Sequence, residues 1–159
     1  MTTQSRTAGP VLLTATILVG LTAGTFFVFA CAVMPALSRS EDRVFVQVVR
    51  DINDVIQNPL FLLAFLGALP LSAVAAWQSR TAPHRWLAWS GCAAYALAFL
   101  VTVVVNVPLN DRLASATGSP AAARADFEDM WVLWNAVRAG LSVAGLGLLA
   151  GALTVRGRR

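Results

Sequence analysis

Two short segments hold the residues whose types and spacing suit chemistry. One is VNVPLNDRL, Val105 to Leu113, where Asn106, Asn110, Asp111 and Arg112 close an apolar run. The other is DFEDMWVLWNAVRAG, Asp126 to Gly140. On a helix, Trp131, Asn135 and Arg138 are spaced four and then three residues apart, so they share one face. That face joins an aromatic plate, an amide and a cation that does not give up its proton. Asn53 and Asp54 add an amide and a carboxylate upstream.

Together these residues could remove a proton, hold the anion that results and seat a flat ring. Asp54 or Asp111 is the candidate base, with a pKa raised by burial. Arg138, with Asn106 or Asn135, is the candidate partner of an oxyanion. Trp131 or Trp134 would stack on the ring, and Asn53 and Asn110 complete the substrate-binding set. Each residue also has a plainer role. Arg138 can snorkel to the membrane surface or pair with Asp54 or Asp111. The tryptophans can sit in an interfacial belt, and the amides can serve as hydrogen bonds between helices.

Other chemistries lack their residues. HExxH, a CxxC pair and a glycine-rich phosphate loop are all missing, and the single His84 lies in a different connection from the polar segments. Carboxylates and amides alone are a poor home for zinc or copper. No metal and no other cofactor is therefore expected. All 12 basic residues are Arg, scattered rather than striped with aromatics, so nucleic acid is not an expected partner.

The elements that must position these residues follow from composition. Of 159 residues, 57% are hydrophobic and 13% charged, against about 25% charged in soluble domains. The apolar residues fall in four blocks, 11–34, 60–77, 86–107 and 134–155, each near the roughly 20 residues that cross a bilayer core. The first block is too long for a signal peptide's apolar core and is read as a retained span. Between them, Glu41 to Gln57 reads as an amphipathic helix. Val44, Val48, Ile52, Val55 and Ile56 lie on one side, and Arg50, Asn53, Asp54 and Gln57 lie largely opposite. Ser40 is its candidate cap, and Asn58-Pro59 ends it. Pro108 is expected to fray or kink the third span near Asn106. Small residues four apart, Gly20 with Gly24, Gly140 with Ala144 and Gly147 with Gly151, suggest helix seams or a homo-oligomer contact. Cys31 and Cys92 fall near opposite faces and should not bridge. The expected fold is one all-α domain over 1–159, an integral membrane four-helix bundle with an extra amphipathic helix between spans 1 and 2.

Four spans put both termini on one side. That side carries Arg6, Arg80, His84, Arg85, Arg156, Arg158 and Arg159 and no acid, whereas every Asp and Glu lies on the other. Counts of Arg tie at six per side, and the cluster after the last span breaks the tie. Both termini are placed in the cytoplasm, in a multi-pass protein of the cytoplasmic or plasma membrane.

FVQVVRDINDVIQNPLF (Phe45 to Phe61), NVPLNDRL (Asn106 to Leu113) and W..WN.VRAG (Trp131 to Gly140) resemble the anthrone oxygenase-like family, as does GTFFVFACAVMPAL, which ends at Leu37. The resemblance spans most of the chain. It implies a small four-span membrane fold. For some fungal members it also implies oxidation of an anthrone to an anthraquinone by molecular oxygen, without metal or flavin. The expected activity is thus a membrane-bound oxygenase acting on a lipophilic aromatic molecule, with that molecule and the lipid bilayer as partners. The alternative is a non-enzymatic module whose outer loops dock a small molecule or a partner. A transporter fits less well, because there is no inverted repeat and no charge near the middle of a span.

Overall fold

The computed structural model describes residues 3–157, with side chains from Ala8 onward. Of the arginines on the terminal side, Arg158, Arg159 and the side chain of Arg6 lie outside the described residues. Every regular element described is helical. The first helix, α1 (Thr3–Val28), continues through a π-helical segment, Phe29–Val33, into α2 (Met34–Leu37). Helices α3 (Asp42–Ile56) and α4 (Pro59–Gln78) follow. Then α5 (Arg85–Val101) runs through a second π segment, Thr102–Asn106, into α6 (Val107–Ser115). The short α7 (Pro120–Ala125) leads into α8 (Glu128–Gly157). Four stretches are long and apolar enough to cross a membrane: Ala8–Leu37, Pro59–Gln78, Arg85–Ser115 and Pro120–Gly157. The chain is an all-α, multi-pass membrane protein.

The two π segments have one cause. Pro35 and Pro108 each lie two residues beyond a π segment, and a proline ring clashes with the carbonyl four residues back. Those carbonyls belong to Cys31 and Val104, both inside the π segments. Widening the turn by one residue relieves the clash: Met34 N–H donates to Phe29 O, and Val107 N–H to Thr102 O. The third long helix therefore does not fray at Asn106; the distortion expected from Pro108 takes the form of a π turn. The chain stays helical to Ser115.

The four long helices form a ring in which α1 packs on α4 and α8, and α5 packs on the same two. Helix α8 turns one stripe inward: Trp131, Asn135, Arg138, Ser142, Gly145, Leu149 and Ala152, alternately four and three apart. The tightest seam is between α5 and α8. A Cβ on Gly91 would lie 2.9 Å from Leu149 Cγ and 3.2 Å from the Gly145 carbonyl oxygen. The glycine pairs expected as seams are only partly so. Gly20 meets Leu146 and Gly151 meets Leu87, whereas Gly24, Gly140 and Gly147 face open space. The register of α8 explains this, because 140, 144, 147 and 151 sit off the inward stripe.

Helix α3 also differs from its expected face. Phe45, Val46 and Val49 are buried, while Val44 and Val55 are exposed. Arg50, expected on the outer polar side, reaches inward. Its Nε and Nη2 donate to Leu113 O at 2.9 and 2.7 Å, and Nη2 also donates to Ala116 O at 2.8 Å. These bonds reinforce the long 3.4 Å bond that Leu113 O accepts from Ala116 N–H and satisfy Ala116 O just past the end of α6. Ser40 does not cap α3. Glu41 holds that position without a side-chain bond, and Ser40 Oγ instead donates to Leu37 O at 2.7 Å. Asn58 ends α3 and caps α4, accepting from the amides of Leu60 and Phe61.

Arg124 straps α7 across the same end. It donates to Ser40 O, Asp42 Oδ1 and Ser38 O, pairs with Glu128 at 2.6 Å, and lies 4.5 Å over the Phe45 ring. Cys31 and Cys92 are free.

Candidate functional site

At the mouth, the end of the bundle away from the termini, the helices enclose a cavity of about 220 Å³. Helix α1 and its π segment contribute Thr25, Phe26 and Phe29, and α4 contributes Phe61, Leu62 and Phe65. Asn53 and Ile56 of α3 and Gln57 just after it lie on the cavity as well, as do Thr102, Val107, Asn110 and Asp111 of the third long helix. Trp131 and Arg138 close it from α8.

The aromatic walls are ordered against one another. Phe61 and Phe65 stack with centroids 5.8 Å apart, and Phe65 stacks on Phe99 at 4.9 Å. Phe26 meets the edge of Phe65 at 6.4 Å, and Phe29 lies 5.8 Å from Trp131. Trp131 is oriented by its ring nitrogen, which donates to Asn110 Oδ1 at 2.8 Å.

Arg138 sits at the centre of this arrangement and is 6% exposed. Its Nε donates to Asn135 Oδ1 at 3.0 Å and its Nη1 to Thr102 Oγ1 at 3.4 Å. Its guanidinium carbon lies 4.1 Å from the Phe26 ring centroid and 5.2 Å from that of Trp131. Asn135 is itself fixed, donating to Phe26 O at 3.2 Å. Asn106 is fully buried behind the wall and donates to Trp131 O at 3.4 Å, while its Oδ1 has no partner among the described residues. The two ion pairs among the described residues both belong to Arg124. Arg138 is therefore a buried cation with neutral neighbours, which places it neither in the snorkelling role nor in a pair with Asp54 or Asp111.

Of the residues singled out in the sequence, Asn53, Asn110, Asp111, Trp131 and Arg138 meet at the cavity. Asn106 and Asn135 stand behind it and hold Trp131 and Arg138. Asp54 is exposed and off the cavity, and Trp134 is half-buried and also off it. Asp111 is exposed at the cavity's edge, so neither candidate base has the burial expected of it. Sequence reasoning missed Thr102, Phe26, Phe29 and Phe65. A signal existed for some of them: Thr102 lies four residues before Asn106, and Phe26 and Phe29 belong to GTFFVF. Among the described residues, no group of three or more His, Cys, Asp or Glu could hold a metal ion.

A four-helix membrane bundle with an aromatic-lined cavity at one end, built around a buried arginine, defines the class: a small integral membrane protein. Residues 51–148, which include most of the cavity, match the anthrone oxygenase family, and the chain belongs to it. No curated protein and no solved structure matches the chain.

Proposed function

We propose that this protein is a membrane-bound oxygenase that oxidises a lipophilic, anthrone-like aromatic molecule with molecular oxygen and without metal or flavin. The observation that carries this reading is Arg138: buried, without a carboxylate partner, and facing an aromatic-lined cavity with Asp111 at its edge. Asp111 takes a proton from the activated CH₂ of the substrate. The electron pair moves onto the substrate oxygen, where Arg138 stabilises the charge. The delocalised anion gives one electron to O₂, and the two radicals join to form a C–O bond and a peroxide, which is protonated. Loss of the second C–H proton then forms the carbonyl as the O–O bond breaks and water leaves. One O₂ is consumed per ketone formed, with one oxygen atom in product and one in water.

Asp111 fits the base better than Asp54 because it lies on the cavity. Thr102 and Asn135 hold the guanidinium, and Trp131 with Phe26, Phe29 and Phe65 presents the flat walls. The test is oxygen uptake by the chelator-treated, purified protein with emodin anthrone. One O₂ per anthraquinone, with ¹⁸O from the gas in the new carbonyl, is expected. Uptake that depends on an added metal or flavin contradicts the mechanism, and no uptake with any activated hydroxyarene returns the chain to a binding or docking module.

The proposed orientation keeps both termini in the cytoplasm and the cavity toward the opposite leaflet. Arg80, His84, Arg85 and Arg156 lie at the terminal end, whereas all acids lie at the mouth. A reporter active only in the cytoplasm should work when fused after Arg159 and fail near Ser119. The reverse pattern inverts the orientation.

A further inference from the structure

The charge inventory around Arg138 narrows the ligand further. The chain has eight carboxylates. Arg124 holds Asp42 and Glu128, and Glu41, Asp51, Asp54, Asp111, Asp126 and Asp129 are exposed. None reaches Arg138, whose bonds go to an amide oxygen and a hydroxyl. A buried cation without a counter-ion is costly, and an anion placed beside it removes much of that cost. No carboxylate of the described residues meets this charge, so a counter-ion in the cavity comes from a ligand.

The shape of the site selects among anions. Carboxylates and phosphates favour the two-pronged edge of a guanidinium. Here Nε and Nη1 are already engaged, and Nη2 makes no hydrogen bond among the described residues. Both N–H groups of Nη2 are therefore open to a charged oxygen of a ligand. The walls beside it are rings, Phe26 at 4.1 Å and Trp131 at 5.2 Å from the guanidinium carbon, which suit a flat body over an alkyl chain.

We infer that the cavity is a receptor for a flat lipophilic phenolate or enolate, taken in its ionised form with the charged oxygen on Arg138 and the rings against Phe26 and Trp131. This deepens the proposed function and rests on the same cavity, but it requires neither oxygen nor an oxidisable C–H. Lipophilic phenolates that cannot be oxidised, including hydroxyquinones of the product type, therefore occupy the site. The cation also favours the ionised ligand, so a weak phenol loses its proton more readily in the site than in water.

The experiment is calorimetric binding under nitrogen to the full-length protein in lipid nanodiscs, after subtraction of partition into empty discs. The probes are a dinitronaphthol that is ionised at neutral pH, its O-methyl ether, and dodecanoate. The naphtholate should bind about 10–100-fold more tightly than the ether, the factor expected of one bond to a charged group. Dodecanoate should not compete with it. Arg138→Met should abolish the preference of naphtholate over ether. Equal binding of naphtholate and ether by the unaltered protein overturns the inference, and so does a preference that survives in a folded Arg138→Met protein. Competition by dodecanoate removes the restriction to flat anions.

Should Arg138→Met fail to fold, an unsubstituted naphthol titrated against the unaltered protein decides the matter. Its affinity should rise with pH through the ligand's own ionisation while the ether's stays flat, and a flat profile for both refutes the inference. Naphtholate binding without oxygen uptake on anthrones would retain this inference and dismiss the oxygenase, whereas uptake without any anion preference would do the reverse.

Discussion

The two ends of the bundle are built from opposite materials. Toward the termini, the core is Leu12, Ala15, Ala75, Ala76, Ala88, Leu149 and Ala152, and the backbones of α5 and α8 nearly touch at Gly91 and Gly145. At the mouth, the residues are Phe26, Phe65, Phe127, Trp131, Asn106, Asn135 and Arg138. Helices in lipid gain little from hiding apolar surface and associate through close packing and hydrogen bonds. Small residues allow that packing without polar help. Large rings and amides hold helices apart, so the mouth requires the Arg50 and Arg124 bonds to close it, and it retains a cavity. One half of this protein thus maintains the fold while the other half stays open around a buried charge.

The largest effect should come from the tight half. Gly145→Leu drives a side chain into the Gly91 carbonyl, 3.2 Å from even a Cβ. The expected loss is about 3 kcal/mol of stability, the upper range for overpacking. Gly24→Leu, facing open space, should be silent. Membrane yield and thermal stability in detergent check both, and an equal loss from the two would show that the seam is elsewhere.

In the open half, the two carboxylates should separate. Asp111→Asn should lower turnover about 100-fold, the low end for a general base because the residue is exposed. Asp54→Asn should leave turnover unchanged. The opposite ranking, measured by initial rates of oxygen uptake, would move the base to α3.

The smallest effect concerns the strap. Arg124→Ala removes bonds to Ser38, Ser40, Asp42 and Glu128. It should cost about 1–2 kcal/mol, because each of these bonds is partly replaced by water. Hydrogen exchange should quicken in α7 and over residues 38–42 and stay slow in α8 beyond Gly145. Uniform quickening would mean that the two ends are not independent.

Much of this division could be read in the chain. The four apolar blocks correspond to the four long helices because length and hydropathy alone decide what can cross a bilayer. Trp131, Asn135 and Arg138 fall on one inward face because their four-then-three spacing is a local property of a helix. What could not be read depended on neighbours. Pro108 signalled a frayed or kinked helix near Asn106, and a π turn forms there instead of fraying. Gly140 and Gly147 had seam spacing but not seam register, which only the partner helix sets. Asp54 and Asp111 looked equivalent, and the placement of α3 over the mouth separates them. Thr102 and the phenylalanines of α1 and α4 left only weak signals, the spacing of Thr102 from Asn106 and the run GTFFVF. They enter the site because the ring of helices closes on them.

In the proposed function Arg138 faces a ligand and does not serve as an anchor, and Arg138→Lys separates the two roles. Lysine keeps the positive charge but cannot hold Asn135, Thr102 and an oxyanion at once from one planar group. The protein should insert and keep its thermal stability, while turnover of an activated anthrone falls about 10–1000-fold, the loss of roughly 1.4–4 kcal/mol of charge-assisted bonding. Unchanged turnover with lysine would contradict the account and return Arg138 to a structural role.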